Sequence, residues 1–448
     1  MTLAETDVIK HGNVITYGNL KTFRDTSEKI IEQEHRLTCL NVQTFCLVFT
    51  TVLIYVFSIG FGYCLSVLYP EFIRVFSSKS SDAALIQNLF TAFNLGGVIL
   101  WNPIAVRFGQ GVCVILGSCF VVAGVFLAQF ATSIWVLILC IGVIAGIGAS
   151  ITSFGPKVLI NDIFVKWKQA AFAAIYTGPS IGQFCFPYFI ECLLEQYNWN
   201  GTLLVMSAFM ANLIPCGIII YYIEKDTVSS KPLTESSSGG KLFDSCVFKE
   251  WRLYPLLING LLIAFSVFVE SNFLVDHMIL KGYGRATGAL FLSYMGLANL
   301  AGRIVTLASK LIFHSGNCLI QITVFTMMIA ASHAVILFTG SYFGILVGAI
   351  LNGFSLGLFF PQIPVILLEI YPSELYGAIY SIWNIFLGVG FCLGGYFGGF
   401  IRDITSSYDL LFELAIICNS IMAVNFFISG VSCRKICKKQ CKNKSIDG

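Results

Sequence analysis

Apolar runs of about twenty residues, separated by short polar breaks, recur along most of this 448-residue chain. A helix that crosses the hydrocarbon core of a bilayer needs about 20 mostly apolar residues. Twelve runs meet that length: 45–69, 84–106, 111–130, 133–154, 169–190, 201–223, 253–275, 287–309, 318–338, 341–369, 375–400 and 409–430. Almost nothing separates 111–130 from 133–154, which predicts a tight antiparallel hairpin. The first 44 residues are polar and lack an apolar leader, so no cleavable signal peptide is expected. The one long internal break, 224–252, is rich in Ser, Gly and charge and reads as a flexible linker. The expected architecture is an all-α membrane protein with twelve transmembrane helices in two six-helix bundles, 45–223 and 253–430. A cytoplasmic tail (1–44) leads in, the linker is cytoplasmic, and a basic cytoplasmic tail (431–448) follows.

Composition supports this division. Hydrophobic residues make up 56% of the chain and charged residues only 11%, against roughly 25% charged in soluble proteins. So few charges cannot cover a water-facing surface. The 41 glycines suit closely approaching membrane helices. A net charge of +3 is too small to suggest a nucleic-acid partner. Most of the 16 cysteines, such as Cys46, Cys119, Cys140 and Cys216, fall singly in apolar runs and read as small buried side chains. There is no CxxC pair and no HExxH, so neither a metal nor a cofactor is expected. With both termini inside, 21 of the 27 Lys and Arg fall on the cytoplasmic side. Arg74, Lys79, Lys281, Arg285 and Arg402 fall outside, and Arg303 lies within a helix. Positive charge is retained on the cytoplasmic side during insertion, so this bias fits twelve spans. Six helices, a polar linker and six more resemble the major facilitator superfamily, whose halves rock about a central site.

Arg303 is the residue that asks for a function. It lies six residues before the inner end of the eighth predicted span, about 9 Å at the helical rise. One reading is a snorkelling arginine whose head reaches the interface. The helix face argues for another. Gly296, Asn299, Arg303, Thr306 and Lys310 are spaced 3 or 4 apart and form one small, polar stripe, whereas Leu297, Leu300, Ile304 and Leu307 lie off it. Such a stripe belongs against protein or water, which directs Arg303 to an inner cavity. A guanidinium keeps its charge there and matches a carboxylate with two parallel hydrogen bonds.

Several segments resemble the monocarboxylate transporters. In "NDIFVKWKQAAFAAIYTGPSIGQF" (161–184), Lys166 and Lys168 stand at that family's basic pair, and Gly178 and Gly182 keep a GxxxG spacing. "GVILWNPIAVRFGQGVCVILG" (97–117) and "GGFIRDITSSYDLLFELAI" (398–416) are similar to it as well. The resemblance covers about 45–430. It implies that Arg303, in "NLAGR", binds the substrate carboxylate. Proton-coupled members carry an aspartate one turn earlier, where this chain has Asn299, and a first-helix lysine, where the alignment sets Val67. The acidic, glycine- and tryptophan-rich start of the family's first helix is replaced by "LNVQTF" (40–45). Asparagine cannot titrate, so the resemblance implies facilitated diffusion or coupling through a different acid. Some relatives also need a single-span accessory chain as partner.

The expected activity is secondary transport of a monocarboxylate or a carboxylate-bearing amino acid by alternating access at the plasma membrane. The alternative is a transporter-like membrane sensor or assembly partner without transport. No nucleophile–base pair or paired catalytic carboxylates suggest an enzyme. Candidate substrate-binding residues are Arg303, Asn299, Tyr63, Phe61, Asn94 and Tyr176. Glu369 reads either as a substitute proton acceptor or as an inner-mouth charge. Asp162, Lys166, Lys168 and Arg107 read either as latches between the halves or as topology-setting charges. Glu270 reads as a substrate-access residue or an interfacial charge, Glu413 as interfacial, and His333 as a pH sensor or as packing. The glycine-rich 388–400 is expected to be a mobile, closely packed helix. Cys433, Cys437 and Cys441, spaced four apart among basic residues, are candidates for palmitoylation.

Overall fold

A computed structural model of the chain describes residues 17–97, 101, 104–105, 107–164, 168–230, 253–312, 318–371 and 376–444. Within these, side chains are described from 42 to 429 except at 161–162, 168–170, 227–230, 310–312, 368–369 and 376–377. Two compact units meet in sequence at Leu47 within the first helix, and the second, Val48–Gly448, holds every side-chain contact described below.

Among the described residues all regular structure is helical. In chain order the helices are α1 (Tyr17–Phe76), α2 (Ser80–Gly96), α3 (Gln110–Ala128), α4 (Gly146–Ile163), α5 (Lys168–Ile175), α6 (Thr177–Met210) and α7 (Leu213–Ser230). There follow α8 (Leu253–Leu280), α9 (Arg285–Ile312), α10 (Cys318–Thr339), α11 (Tyr342–Phe359), α12 (Gln362–Ile370), α13 (Tyr376–Thr405) and α14 (Asp409–Lys444). Leading into α4, one α-helical turn (Ile134–Leu137) passes through a π-helical stretch, Ile138–Ala145. Among the described residues, ten stretches are long and apolar enough to cross a membrane. One of these, Ala171–Asp226, is 56 residues and holds α6 and most of α7.

The boundaries depart from the apolar runs in three informative places. The run 133–154 stops too early, because α4 continues through Pro156 and Lys157 to Ile163. The run 341–369 is two helices, α11 and α12, broken at Phe360 and Pro361. Helix α6 carries a kink at Asn198, whose φ of 56° is left-handed. Helices α7 and α14 extend past the expected spans, to Ser230 and Lys444. Of the expected linker, 231–252 lies outside the described residues.

Two main packings join the first group of helices, α1–α7, to the second, α8–α14: α2 lies on α13, and α6 lies on α9. Both approach closely. A Cβ placed on Gly399 of α13 would come 2.5 Å from the Ser81 Cα of α2. Within the first group, the GxxxG of α6 meets α1, where a Cβ on Gly182 would come 2.6 Å from the Gly60 Cα. Only glycine permits such backbone contact.

Candidate functional site

Helix α9 buries one face and exposes the other. Gly296, Asn299, Arg303 and Thr306 are buried, while Leu297 and Ile304 are exposed at 46% and 54%. The buried face meets α6, because Gly296 rests against the Gln183–Phe184 backbone. Arg303 is only 5% exposed and lines a cavity of about 960 Å³, counting its open mouth.

Arg303 is held by one bond and leaves another unmade. Its Nε donates to Asn299 Oδ1 at 2.9 Å, one helical turn away. Asn299 is itself fixed by α6: Ser180 Oγ donates to its Oδ1 at 3.0 Å, and its Nδ2 donates to Gln183 Oε1 at 3.3 Å. Arg303 Nη1 is buried with no acceptor. Among the described residues no carboxylate pairs with Arg303, and the cavity wall carries neither Asp nor Glu. A buried charged donor without a partner costs free energy. An anion in the cavity would satisfy this donor.

The other walls come from both groups of helices. Tyr63 of α1, with Gln87 and Asn94 of α2, face Ser271 and Asn272 of α8 and Asn384 of α13. Tyr176, at the break between α5 and α6, shares a 2.6 Å hydroxyl–hydroxyl bond with Tyr380 of α13. Tyr380 in turn stacks on Trp383, with centroids 6.3 Å apart and planes at 20°. The α11–α12 break contributes Phe360, Ile363 and Pro364. Both helix breaks thus abut the cavity, as expected where irregular backbone borders a site inside a membrane.

Four of the six expected substrate-binding residues, Arg303, Tyr63, Asn94 and Tyr176, meet at this cavity. Phe61 does not line it. Its ring is fully buried behind the wall, edge-on to the wall residue Phe90 at 5.7 Å. Asn299 lies behind Arg303 and positions it without forming wall. Val67, set by resemblance at the family's lysine, is fully buried and off the wall. Among the expected coupling residues, Arg107 is exposed, with its guanidinium 5.7 Å from the Phe108 ring and no ion pair among the described residues. Lys166 and the side chains of Asp162, Lys168 and Glu369 lie outside the described residues. So do the side chains of Cys433, Cys437 and Cys441.

Three features go beyond the sequence reading or decide between its alternatives. Lys157, which lies past the predicted span 133–154 and so falls among the 21 charges placed on the cytoplasmic side, lines the cavity from α4. Glu270 is not interfacial: it is fully buried, with His333 Nε2 3.8 Å from its Oε1 and Ser332 Oγ donating to the same oxygen at 3.4 Å. The His333 ring also contacts the Ile329 and Ser266 carbonyls, at 2.7 and 3.3 Å. The third feature is a polar latch at the end of the helices holding the α1–α2 and α13–α14 turns. There Arg285 of α9 bridges Glu191 of α6 at 2.7 Å and Glu71 of α1 at 3.1 Å. Asp403 of α13 accepts from the Ser80 and Ser81 amides of α2 at 2.8 and 3.1 Å, a carboxylate on a helix N-terminus. Tyr69 and Tyr408 meet at 3.5 Å, and Asp276 holds Tyr408 at 2.6 Å and Arg402 at 3.2 Å.

The sequence-family model "Major Facilitator Superfamily" matches residues 51–395. The chain belongs to that superfamily. It is 26% identical over 261 residues to Monocarboxylate transporter 12 of Xenopus laevis, covering 54% of this chain and 56% of the relative. Monocarboxylate transporter 13 of Bos taurus is 25% identical over 356 residues, covering 78% of this chain and 80% of the relative. Monocarboxylate transporter 4 of Gallus gallus is 24% identical over 362 residues, with coverage of 80% and 76%. The chain is therefore a multi-pass membrane protein of a transporter superfamily, not an enzyme family, and it is similar over most of its length to monocarboxylate transporters.

Proposed function

We propose that this protein is a secondary transporter that moves small carboxylates between its two halves by alternating access, with Arg303 holding the carboxylate. One observation carries the reading: Arg303, buried with an unpartnered Nη1, lines a cavity whose wall carries no acidic side chain among the described residues. Twelve crossings follow if α6 and α7 each cross and α2 crosses together with the residues after it. They group as two bundles, 45–223 and 253–430, joined by the linker 224–252. Both termini then lie on the cytoplasmic side of the plasma membrane. Even with Lys157 moved to the cavity wall, 20 of the 27 Lys and Arg fall inside.

In this frame the Arg285, Asp403 and Tyr69–Tyr408 contacts close the outer face, and the cavity is reached from the cytoplasm. Asn299 makes the arginine a fixed cation, because an amide can neither neutralise it nor release a proton. The names of the relatives point to monocarboxylates, and the site's apolar and aromatic wall accepts a short organic tail. The test is uptake of lactate, pyruvate and aromatic amino acids by proteoliposomes, with and without an imposed pH gradient. Saturable uptake that survives collapse of the gradient is expected. Binding without saturable flux for any carboxylate would instead favour a sensor.

A further inference from the structure

We propose that the cavity selects anions carrying two acidic groups, of the dicarboxylate class, with Lys157 as the anchor for the second. This rests on the carboxylate reading above and narrows it. Lys157 and Arg303 line the same cavity from opposite halves, on α4 and α9. Lys157 has no carboxylate partner among the described residues. Its ammonium lies 5.3 Å from the centroid of the Tyr55 ring, a cation–π contact that positions the charge without neutralising it. Tyr55 is held in place: its hydroxyl donates to the Ser153 carbonyl at 3.4 Å, and its ring meets Tyr176 edge-on at 6.1 Å.

Two cationic side chains in one cavity repel each other, and the other described wall residues are apolar or neutral. A monoanion matches one and leaves the other unmatched. An occupant with a charge of −2 matches both. Because the anchors belong to different halves, a two-headed anion also links the halves, so its second contact is made only as they close around it. Ligand binding energy then assembles the occluded state, which favours the two-headed ligand over a one-headed one.

The experiment compares competition by lactate, malonate and succinate against labelled substrate in proteoliposomes at neutral pH. Wild-type protein is expected to favour the better-fitting dicarboxylate over lactate by at least tenfold. Lys157→Met keeps the aliphatic stem and removes the charge; it should lower dicarboxylate affinity at least tenfold and leave lactate within about threefold. Lys157→Arg should restore the dicarboxylate preference. The proposal is overturned if wild type takes lactate and gains nothing from a second carboxylate, a comparison that needs no variant. It is also overturned if Lys157→Met weakens both ligand classes equally. If wild type binds neither class, it is the carboxylate-transport reading that fails.

Discussion

The latch around Arg285 makes a quantitative prediction about which face of the transporter is open. Both acids, Glu71 and Glu191, belong to the first group of helices and Arg285 to the second, so the bonds exist only while that face is shut. The carboxylates are 8% and 5% exposed and the arginine 26%. A charge-assisted hydrogen bond contributes about 1.5–3 kcal/mol when well buried, and an exposed ion pair about 0–1 kcal/mol. The partly exposed guanidinium places each bond near ~1 kcal/mol, or about 2 kcal/mol for the pair. Arg285→Gln should therefore shift the closed–open equilibrium about 30-fold toward opening of this face. The assay is a pulsed electron–electron distance measurement between spin labels at Lys79 and Lys281, exposed residues of the two groups. With 16 native cysteines, the labels are best carried on noncanonical residues. Wild type should give one short distance, and the variant a substantial longer population. An unchanged distribution in Arg285→Gln would show that the ion pairs do not hold this face shut.

Three further outcomes follow from the geometry. Asn299→Asp places a carboxylate on Arg303, so uptake should fall at neutral pH and recover as the pH is lowered and the acid is neutralised; a flat pH profile from 5 to 8 would contradict the pairing. Phe61→Ala should lower stability by about 3–5 kcal/mol with little change in substrate KM, whereas Tyr63→Ala should raise KM; thermal melting in detergent beside uptake kinetics separates the two, and the reverse pattern would return Phe61 to the cavity wall. Gly182→Leu drives a side chain into the Gly60 backbone and should cost at least the ~1–3 kcal/mol of an overpacked core, seen as a lower melting temperature; an unshifted melt would contradict the close contact of α1 with α6.

The helical architecture was legible because a membrane imposes a single pattern, the long apolar run. Arg303 was legible because its stripe is polar on one side and leucine-rich on the other, and the structure buries the polar side. Lys157 was misread for a local reason. Ser153, Gly155 and Pro156 look like a helix stop, yet proline is tolerated inside helices supported by their neighbours, and the helix continues through "KVLIN". Phe61 and Tyr63 are two residues apart on a helix apolar all round, so no period distinguishes the cavity face from the packed face. Glu270 and His333 are 63 residues apart, and the sequence carries no signal of their meeting, which is set by the packing of helices. The same holds for Arg285 with its two acids.

The central claim is that a fixed cation at residue 303 receives a carboxylate. The most direct measurement is calorimetric titration of the purified protein, wild type and Arg303→Gln, with lactate and with its uncharged amide. A two-bonded guanidinium–carboxylate contact contributes about 3 kcal/mol or more. Wild type should then bind lactate at least 100-fold more tightly than the amide, and Arg303→Gln should lose that preference while melting within a few degrees of wild type. Equal affinities for lactate and its amide in wild type, or a preference unchanged in Arg303→Gln, would contradict it.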